Sequence, residues 1–284
     1  MTLKNDYAYL ARGTDTPPDE ALSPALEPLA EAAPKRRRWW RRGQWELLLL
    51  VSAAYDGSRL LVSGNRLQAE QHGRDLLTAE HALGLSPEHW LNGAFADHSW
   101  LGVPADYLYA TLHYGITAVV LFWLWRHRRE HYVHGRNWLL LTTALGLVGF
   151  VAFPTAPPRL LDASSGFVDV LAQHASIGWW SGGGGVPTGL AAVTNDYAAM
   201  PSLHVGWALW CGLLIFRLSR RRVVRLLGLL YPVIIAVVVM GTANHYLLDC
   251  VAGVAVTLLG LWGTGPTMRL GPWIGAKRAA ARRS

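Results

Sequence analysis

Charge is what this chain has least of. Only 16% of its 284 residues are Asp, Glu, Lys or Arg, against roughly 25% in an average soluble domain. Cysteine is scarce as well, at 2 residues, which excludes a disulfide-stapled secreted module. The composition disfavours a disordered protein, a collagen and a coiled coil, and the sequence contains no internal repeat. No charged segment leading into an apolar run opens the chain, so no cleaved signal peptide is expected. What is plentiful is apolar: 51% hydrophobic residues, with Trp at 14 and Gly at 29. Lys and Arg (26) outnumber Asp and Glu (19). That excess suits nucleic acid, an anionic membrane surface, or loops sorted by charge. Composition alone leaves a soluble enzyme open, and the distribution of the apolar residues decides.

A bilayer-spanning helix needs about 20 mostly apolar residues, because the hydrocarbon core is roughly 30 Å thick and each residue rises about 1.5 Å. Six stretches qualify, near 45–64, 107–126, 137–154, 201–218, 226–243 and 246–264. The basic residues test this independently. With the N-terminus in the cytoplasm, 22 of the 26 Lys and Arg fall in inside segments, leaving only Arg59, Arg66, Arg74 and Arg159 for the other side. The positive-inside rule predicts that asymmetry for six spans with both termini cytoplasmic. The net charge is then a topology signal, and no nucleic-acid partner is expected. Trp39, Trp40, Trp45, Trp138, Trp179, Trp180 and Trp262 lie near expected span ends and read as interfacial anchors.

The expected fold class is therefore all-α, a polytopic membrane protein with six transmembrane helices in a bundle. Leu76, Leu77, Ala82, Leu83, Trp90, Leu91 and Phe95 predict short interfacial helices on the outer side. Residues 1–38 are expected to form a disordered cytoplasmic tail, 39–268 the six-span domain, and 269–284 a basic cytoplasmic tail. The first span is expected to act as the insertion signal. The Gly182–Gly185 run reads as a lid or as a plain connection. His127, His131 and His134 have a metal-like spacing but sit among arginines, and they read as a headgroup-facing basic loop. Cys211 and Cys250, within apolar helices, read as packing residues.

Three short motifs carry chemistry, and the charge-derived topology puts all of them at non-cytoplasmic helix ends. The first is Pro154-Thr155-Ala156-Pro157-Pro158-Arg159. Arg159 offers a planar guanidinium able to hold two phosphate oxygens. The second is Ala199-Met200-Pro201-Ser202-Leu203-His204. Pro201 suits a first helical turn, whose amides and dipole favour an anion. Ser202 adds a hydroxyl, and His204 projects into the same region. The third is Asn244-His245-Tyr246-Leu247-Leu248-Asp249. His245 and Asp249 are four apart, on one helical face, where a carboxylate can fix the imidazole tautomer and leave the other nitrogen as a nucleophile. His113, Tyr114, Asn195, Tyr197 and Asn244 are candidate pocket residues.

Together these residues resemble the type 2 phosphatidic acid phosphatase superfamily, which includes lipid phosphate phosphatases and vanadium-dependent haloperoxidases. The family's Pro-Ser-Gly-His is matched by Pro201-Ser202-Leu203-His204, with Leu203 for Gly. Its Ser-Arg-x5-His-x3-Asp is matched by His245 and Asp249, with Val238 and Val239 at the Ser and Arg positions. Its Lys-x6-Arg-Pro retains Arg159, with Ala152 and Leu160 at the Lys and Pro positions. The phrase from Tyr197 to His204, with Pro157-Pro158-Arg159 before it and Asn244 to Asp249 after it, resembles the inositol-phosphorylceramide-synthase-like branch.

The resemblance implies a metal-independent lipid phosphatase or phosphotransferase without cofactors. His245 would form a phosphohistidine with Asp249 orienting it, His204 would be the general acid and base, and Arg159 with Ser202 would bind the phosphate. The expected partners are a lipid phosphate and membrane lipids. The expected location is the plasma membrane, with the active site on the outer face. One neutral and one charged histidine predict a bell-shaped pH profile. The alternatives are an inositol-phosphorylceramide-synthase-like head-group transferase, and a non-enzymatic transporter or scaffold. A transporter would show ionisable groups deep in its spans and helices broken near the midplane.

Overall fold

The computed structural model describes residues 66–178, 180 and 197–265. The first expected span, both tails, the Gly182–Gly185 run and Asn195 lie outside the described residues, as does the side chain of His113. Within them the chain is helical and no strand occurs; an isolated parallel bridge joins Thr155 to Ala198, and Trp180 is a further bridge residue.

Three helices precede the second expected span: α1 Arg66–Ala82, α2 Pro87–Asp97 and α3 Ser99–Tyr107. The buried face of α1 is Ala69, Gly73, Leu76, Leu77 and Glu80, a spacing of three and four that keeps one side inward. Helix α2 opens on Pro87, where a missing N–H costs nothing. A π-helical turn, Leu108–Leu112, leads into α4 His113–His127, and α5 follows over Arg129–Ala152. Helix α5 stops one residue short of the position before Pro154, whose ring disfavours helical backbone there. After short 3-10 turns at Pro158–Leu160 and Ala163–Ser165 come α6 Val170–Gln173, α7 Leu203–Leu218, α8 Arg222–Gly241 and α9 Leu247–Gly263.

Helices α5 and α8 are long and apolar enough to cross a membrane. A third crossing results if the pair Ser99–Leu112 and Tyr114–His127, bent by 42°, counts as one span. The apolar helices α7 and α9 have 16 and 17 residues, shorter than the roughly 20 that a 30 Å core requires. Val223, Leu226, Leu227 and Val233 leave α8 with a broad exposed apolar face, consistent with a membrane protein.

The core joins α4, α5, α7, α8 and α9 through Leu124, Trp138, Trp210, Leu214, Ile235, Val239 and Cys250. Trp138 donates its indole N–H to the Thr257 carbonyl (2.7 Å), and Trp210 donates to that of Gly135 (2.9 Å). Each ring thus ties two helices and satisfies its polar atom. This corrects the anchor reading of two tryptophans. Trp138 is fully buried in this core, and Trp180 is buried with its N–H on the Leu171 carbonyl. Trp262 does stand exposed.

Two glycine contacts set the helix spacing. Gly212 of α7 faces the Gly228 carbonyl of α8, and Gly253 of α9 faces the Ser202 carbonyl at the start of α7. A side chain at either position would strike backbone, so these pairs are as close as the chains can come.

Candidate active site

The segment after α5 sets the stage. The Thr155 amide donates to the Tyr197 carbonyl (2.9 Å), and the Ala199 amide donates back to the Thr155 carbonyl (3.2 Å). The Arg159 amide donates to the Ala243 carbonyl (2.9 Å). The three stretches of sequence, centred near residues 159, 202 and 245, are therefore stitched together by main chain before any functional side chain is considered.

Ser202 is the N-cap of α7. Its hydroxyl oxygen accepts from the Val205 amide (3.4 Å), and its own amide donates to the Asp249 carbonyl (2.9 Å). Capping satisfies one of the orphan donors of the first turn. Pro201 consequently lies just before the cap, one step outside the helical turn that the sequence suggested. His204 is the second residue of α7 and projects from that turn.

His245 and Asp249 do meet, but a shared helical face is not the reason. Helix α9 starts at Leu247 with Tyr246 as its N-cap, so His245 precedes the helix. Asp249 reaches back: its Oδ2 accepts from the Tyr246 amide (2.9 Å) and stands 3.4 Å from His245 Nδ1. The carboxylate of a capping box thus also serves the histidine. His245 Nδ1 lies 2.9 Å from the Ala199 carbonyl oxygen as well. With acceptors on two sides, Nδ1 carries the proton, and Nε2 keeps its lone pair in the neutral ring. That lone pair points at His204 Nδ1, 3.3 Å away. The rings are inclined at 64° with centroids 5.4 Å apart.

Arg159 sits in the 3-10 turn and is nearly buried, with 7% of its side chain exposed. Its Nε donates to Asn244 Oδ1 (2.8 Å), and its Nη1 faces Asp169 Oδ2 at 3.5 Å. Asn244 in turn donates to the carbonyl and hydroxyl oxygens of Thr242 (3.1 and 3.0 Å). The guanidinium is thereby fixed to the residue preceding His245.

The structure thus brings together Arg159, Asn244, His245, Asp249, Ser202 and His204. Tyr114 lies edge-on to Trp207 at 6.1 Å, and the Tyr197 carbonyl takes part in the main-chain stitching. Two neighbours escaped the sequence reading. Tyr109 stacks on His204, with centroids 4.6 Å apart and planes within 20°. It lies in the π-helical turn, whose register shift no periodicity announces, although such turns often mark functional sites. Asp169 was the other; its Oδ1 caps α6 by accepting from the Ala172 amide (3.0 Å), a role that a short acidic residue before an apolar run could have signalled.

A family model described as the PAP2 superfamily matches residues 74–263, which takes in Arg159, Ser202, His204, His245 and Asp249. The chain belongs to the PAP2 superfamily. That membership supports a phosphatase-type phosphoesterase activity. No curated protein matches the chain, and no solved structure does. In this PAP2-superfamily chain the arrangement offers two imidazoles in contact, a carboxylate that fixes one of them, and a guanidinium on the adjoining residue. Chemically, such a set can deliver a nitrogen nucleophile, a proton and a positive charge to one small anion.

Proposed function

We propose that this protein is an integral membrane phosphatase or phosphotransferase that cleaves a phosphate ester of a lipid, or of a lipid-linked alcohol, through a phosphohistidine on His245. The observation that carries the reading is the His245 ring: Nδ1 engaged by two acceptors, Nε2 turned toward His204 at 3.3 Å. In the first half-reaction His245 Nε2 attacks phosphorus, and the phosphorus–oxygen bond to the leaving alcohol breaks. Protonated His204 gives that oxygen its proton. In the second, an acceptor hydroxyl yields its proton to His204 and attacks the phosphohistidine, and the lone pair returns to His245. Asp249 offsets the charge that His245 carries in between. Arg159 and the first turn of α7, with the Ser202 hydroxyl, hold the phosphoryl oxygens. Asp169 balances the guanidinium until a phosphate oxygen takes its place. The direct contact between the imidazoles opens to admit the phosphoryl group.

The scheme draws on the chain's own groups and assigns no step to a metal or cofactor. We place the site in a six-span domain over residues 39–268, with interfacial helices and the catalytic group on the outer face of the plasma membrane. The tails 1–38 and 269–284 are placed in the cytoplasm, and lipid phosphate and membrane lipids are the partners.

A second reading, head-group transfer to a lipid or inositol hydroxyl as in the inositol-phosphorylceramide-synthase-like branch, is favoured by burial. His245 is 4% exposed and the Arg159 side chain 7%, and an enclosed site limits competing hydrolysis. Purified protein in lipid-containing micelles, assayed for phosphate release with vanadate as inhibitor, tests the first reading. Mass analysis of the extracted lipids tests the second. Either activity is expected to vanish in His245→Ala, and activity surviving that change contradicts the phosphohistidine.

A further inference from the structure

The helix that carries Asp249 is held from outside by an acid the chemistry above does not use. Glu80 lies on the inward face of α1 and Glu88 in the first turn of α2, and both are fully buried. Glu80 Oε1 accepts from the Leu248 amide at 2.6 Å. Leu248 is the second residue of α9, so its N–H is one of those that the helix itself leaves without an acceptor. Two carboxyl groups therefore close the same helix end. Asp249 takes the Tyr246 amide, and Glu80 takes the next but one.

The remaining oxygens are the informative part. Glu80 Oε2 and both oxygens of Glu88 reach no donor among the described residues. An ionised carboxylate only accepts, whereas a protonated one donates. Glu88 is among the neighbours that push the Glu80 carboxyl up. A buried carboxyl–carboxyl pair with no other donor resolves by keeping a proton between its members. Of the titratable groups on α9 and its cap, Asp249 adds to the push on Glu80, while Cys250 and Tyr246 are held neutral by burial and bring no cation. Arg74 on α1 is paired with Asp162 at 3.5 Å, and His81 and His89, the next residues along, stack on each other at 5.9 Å.

We infer that the Glu80–Glu88 pair, sharing one proton, is a positioning element for the reaction: it holds the first turn of α9, and with it Asp249 against His245. The inference rests on the proposed role of His245. Burial and the neighbouring Glu88 push the Glu80 carboxyl up to about 8. A carboxyl raised on folding stabilises the fold fully below its unfolded value and loses that contribution as pH rises toward the folded one. The contribution of the protonated pair to the stability of the fold therefore falls between about pH 4.5 and 8, while the Leu248 amide on its own favours the ionised carboxylate.

The experiment compares wild type with Glu80→Gln and Glu80→Ala in detergent micelles, using a lipid phosphate as substrate and thermal unfolding as a readout independent of activity. Glutamine keeps the acceptor for Leu248 and donates an N–H to Glu88 without needing a proton. The wild-type unfolding temperature is expected to fall from about pH 5 to about pH 9, and that of Glu80→Gln to stay flatter, since the shared proton has been replaced. At neutral pH Glu80→Ala is expected to lower kcat about tenfold or more with KM little changed, as a displaced catalytic group does, and Glu80→Gln to restore it. An unfolding profile in Glu80→Gln as steep as that of wild type overturns the inference, and so does a wild-type kcat in Glu80→Ala. If His245→Ala stays active, it is the phosphohistidine reading that fails, and the unfolding comparison still decides the proton between the glutamates.

Discussion

Gly253→Ala is the sharpest test of how the two histidines are held together. A Cβ at position 253 would run into the Ser202 carbonyl oxygen and lie 3.1 Å from the carbonyl carbon and 3.5 Å from the Gly206 amide nitrogen. All three are backbone atoms at the start of α7, so no side chain can rotate away. Helix α9 must instead move off α7, by about 1 Å to reach ordinary contact. That motion pulls on the hydrogen bond from the Ser202 amide to the Asp249 carbonyl (2.9 Å) and on the His204–His245 contact (3.3 Å). Overpacking of this kind costs about 1–3 kcal/mol of stability. A displacement near 1 Å costs about 100-fold in rate. The assay is phosphate release from a lipid phosphate together with thermal unfolding in the same detergent. Gly115→Ala is the control, because nothing stands within 4 Å of a Cβ there, and a helical Gly→Ala change is favourable by up to about 1 kcal/mol. Wild-type kcat and stability in Gly253→Ala refute the argument that α7 and α9 are packed as tightly as the site requires.

Arg159→Ala is expected to lower kcat by about 100- to 1,000-fold, as loss of an oxyanion donor does, and Arg159→Lys to restore little, since a point charge cannot reproduce the fork now resting on Asn244 and Asp169; steady-state kinetics with a folding check by thermal unfolding measures both. Tyr109→Phe keeps the ring over His204 and is expected to stay within about twofold of wild type, while Tyr109→Leu falls roughly tenfold, the value of an aromatic pair; equal losses in the two contradict a stacking role. Chelation by EDTA is expected to leave turnover unchanged, and a loss reversed by added divalent cation counts against the metal-independent scheme. The kcat profile is expected to be bell-shaped, because one imidazole must be neutral while the other is charged, and a monotonic rise or fall between about pH 4 and 9 contradicts the paired roles.

Local rules made the helix ends and the site's membership legible, and long-range packing hid the rest. Apolar runs located helices for all the expected spans beyond residue 107, but they marked greasy stretches rather than helix bounds. Helix α5 starts at Arg129, before the apolar part, because nothing in its basic first turns breaks a helix. The spacing of His245 and Asp249 named the right partners for the wrong reason, since an N-cap joins them where a helical face was expected. Ser202 was visible as a helix-start residue, and the structure uses its oxygen as a cap. Trp138 and Trp180 show the limit of the interfacial-anchor argument, because proximity to a span end does not say whether a ring faces lipid or another helix. Tyr109, Asp169 and Glu80 come from segments whose docking the sequence does not encode locally. Even so, Glu80 falls on the same face as Leu76 and Leu77, so an acid on an apolar stripe was a readable warning.

Rapid-quench trapping of the enzyme with phosphate-labelled lipid substrate bears most directly on the phosphohistidine. The label is expected on the peptide containing His245, stable to base and lost in acid, and absent from His245→Ala. Turnover without any labelled protein, or a label on another residue, contradicts it.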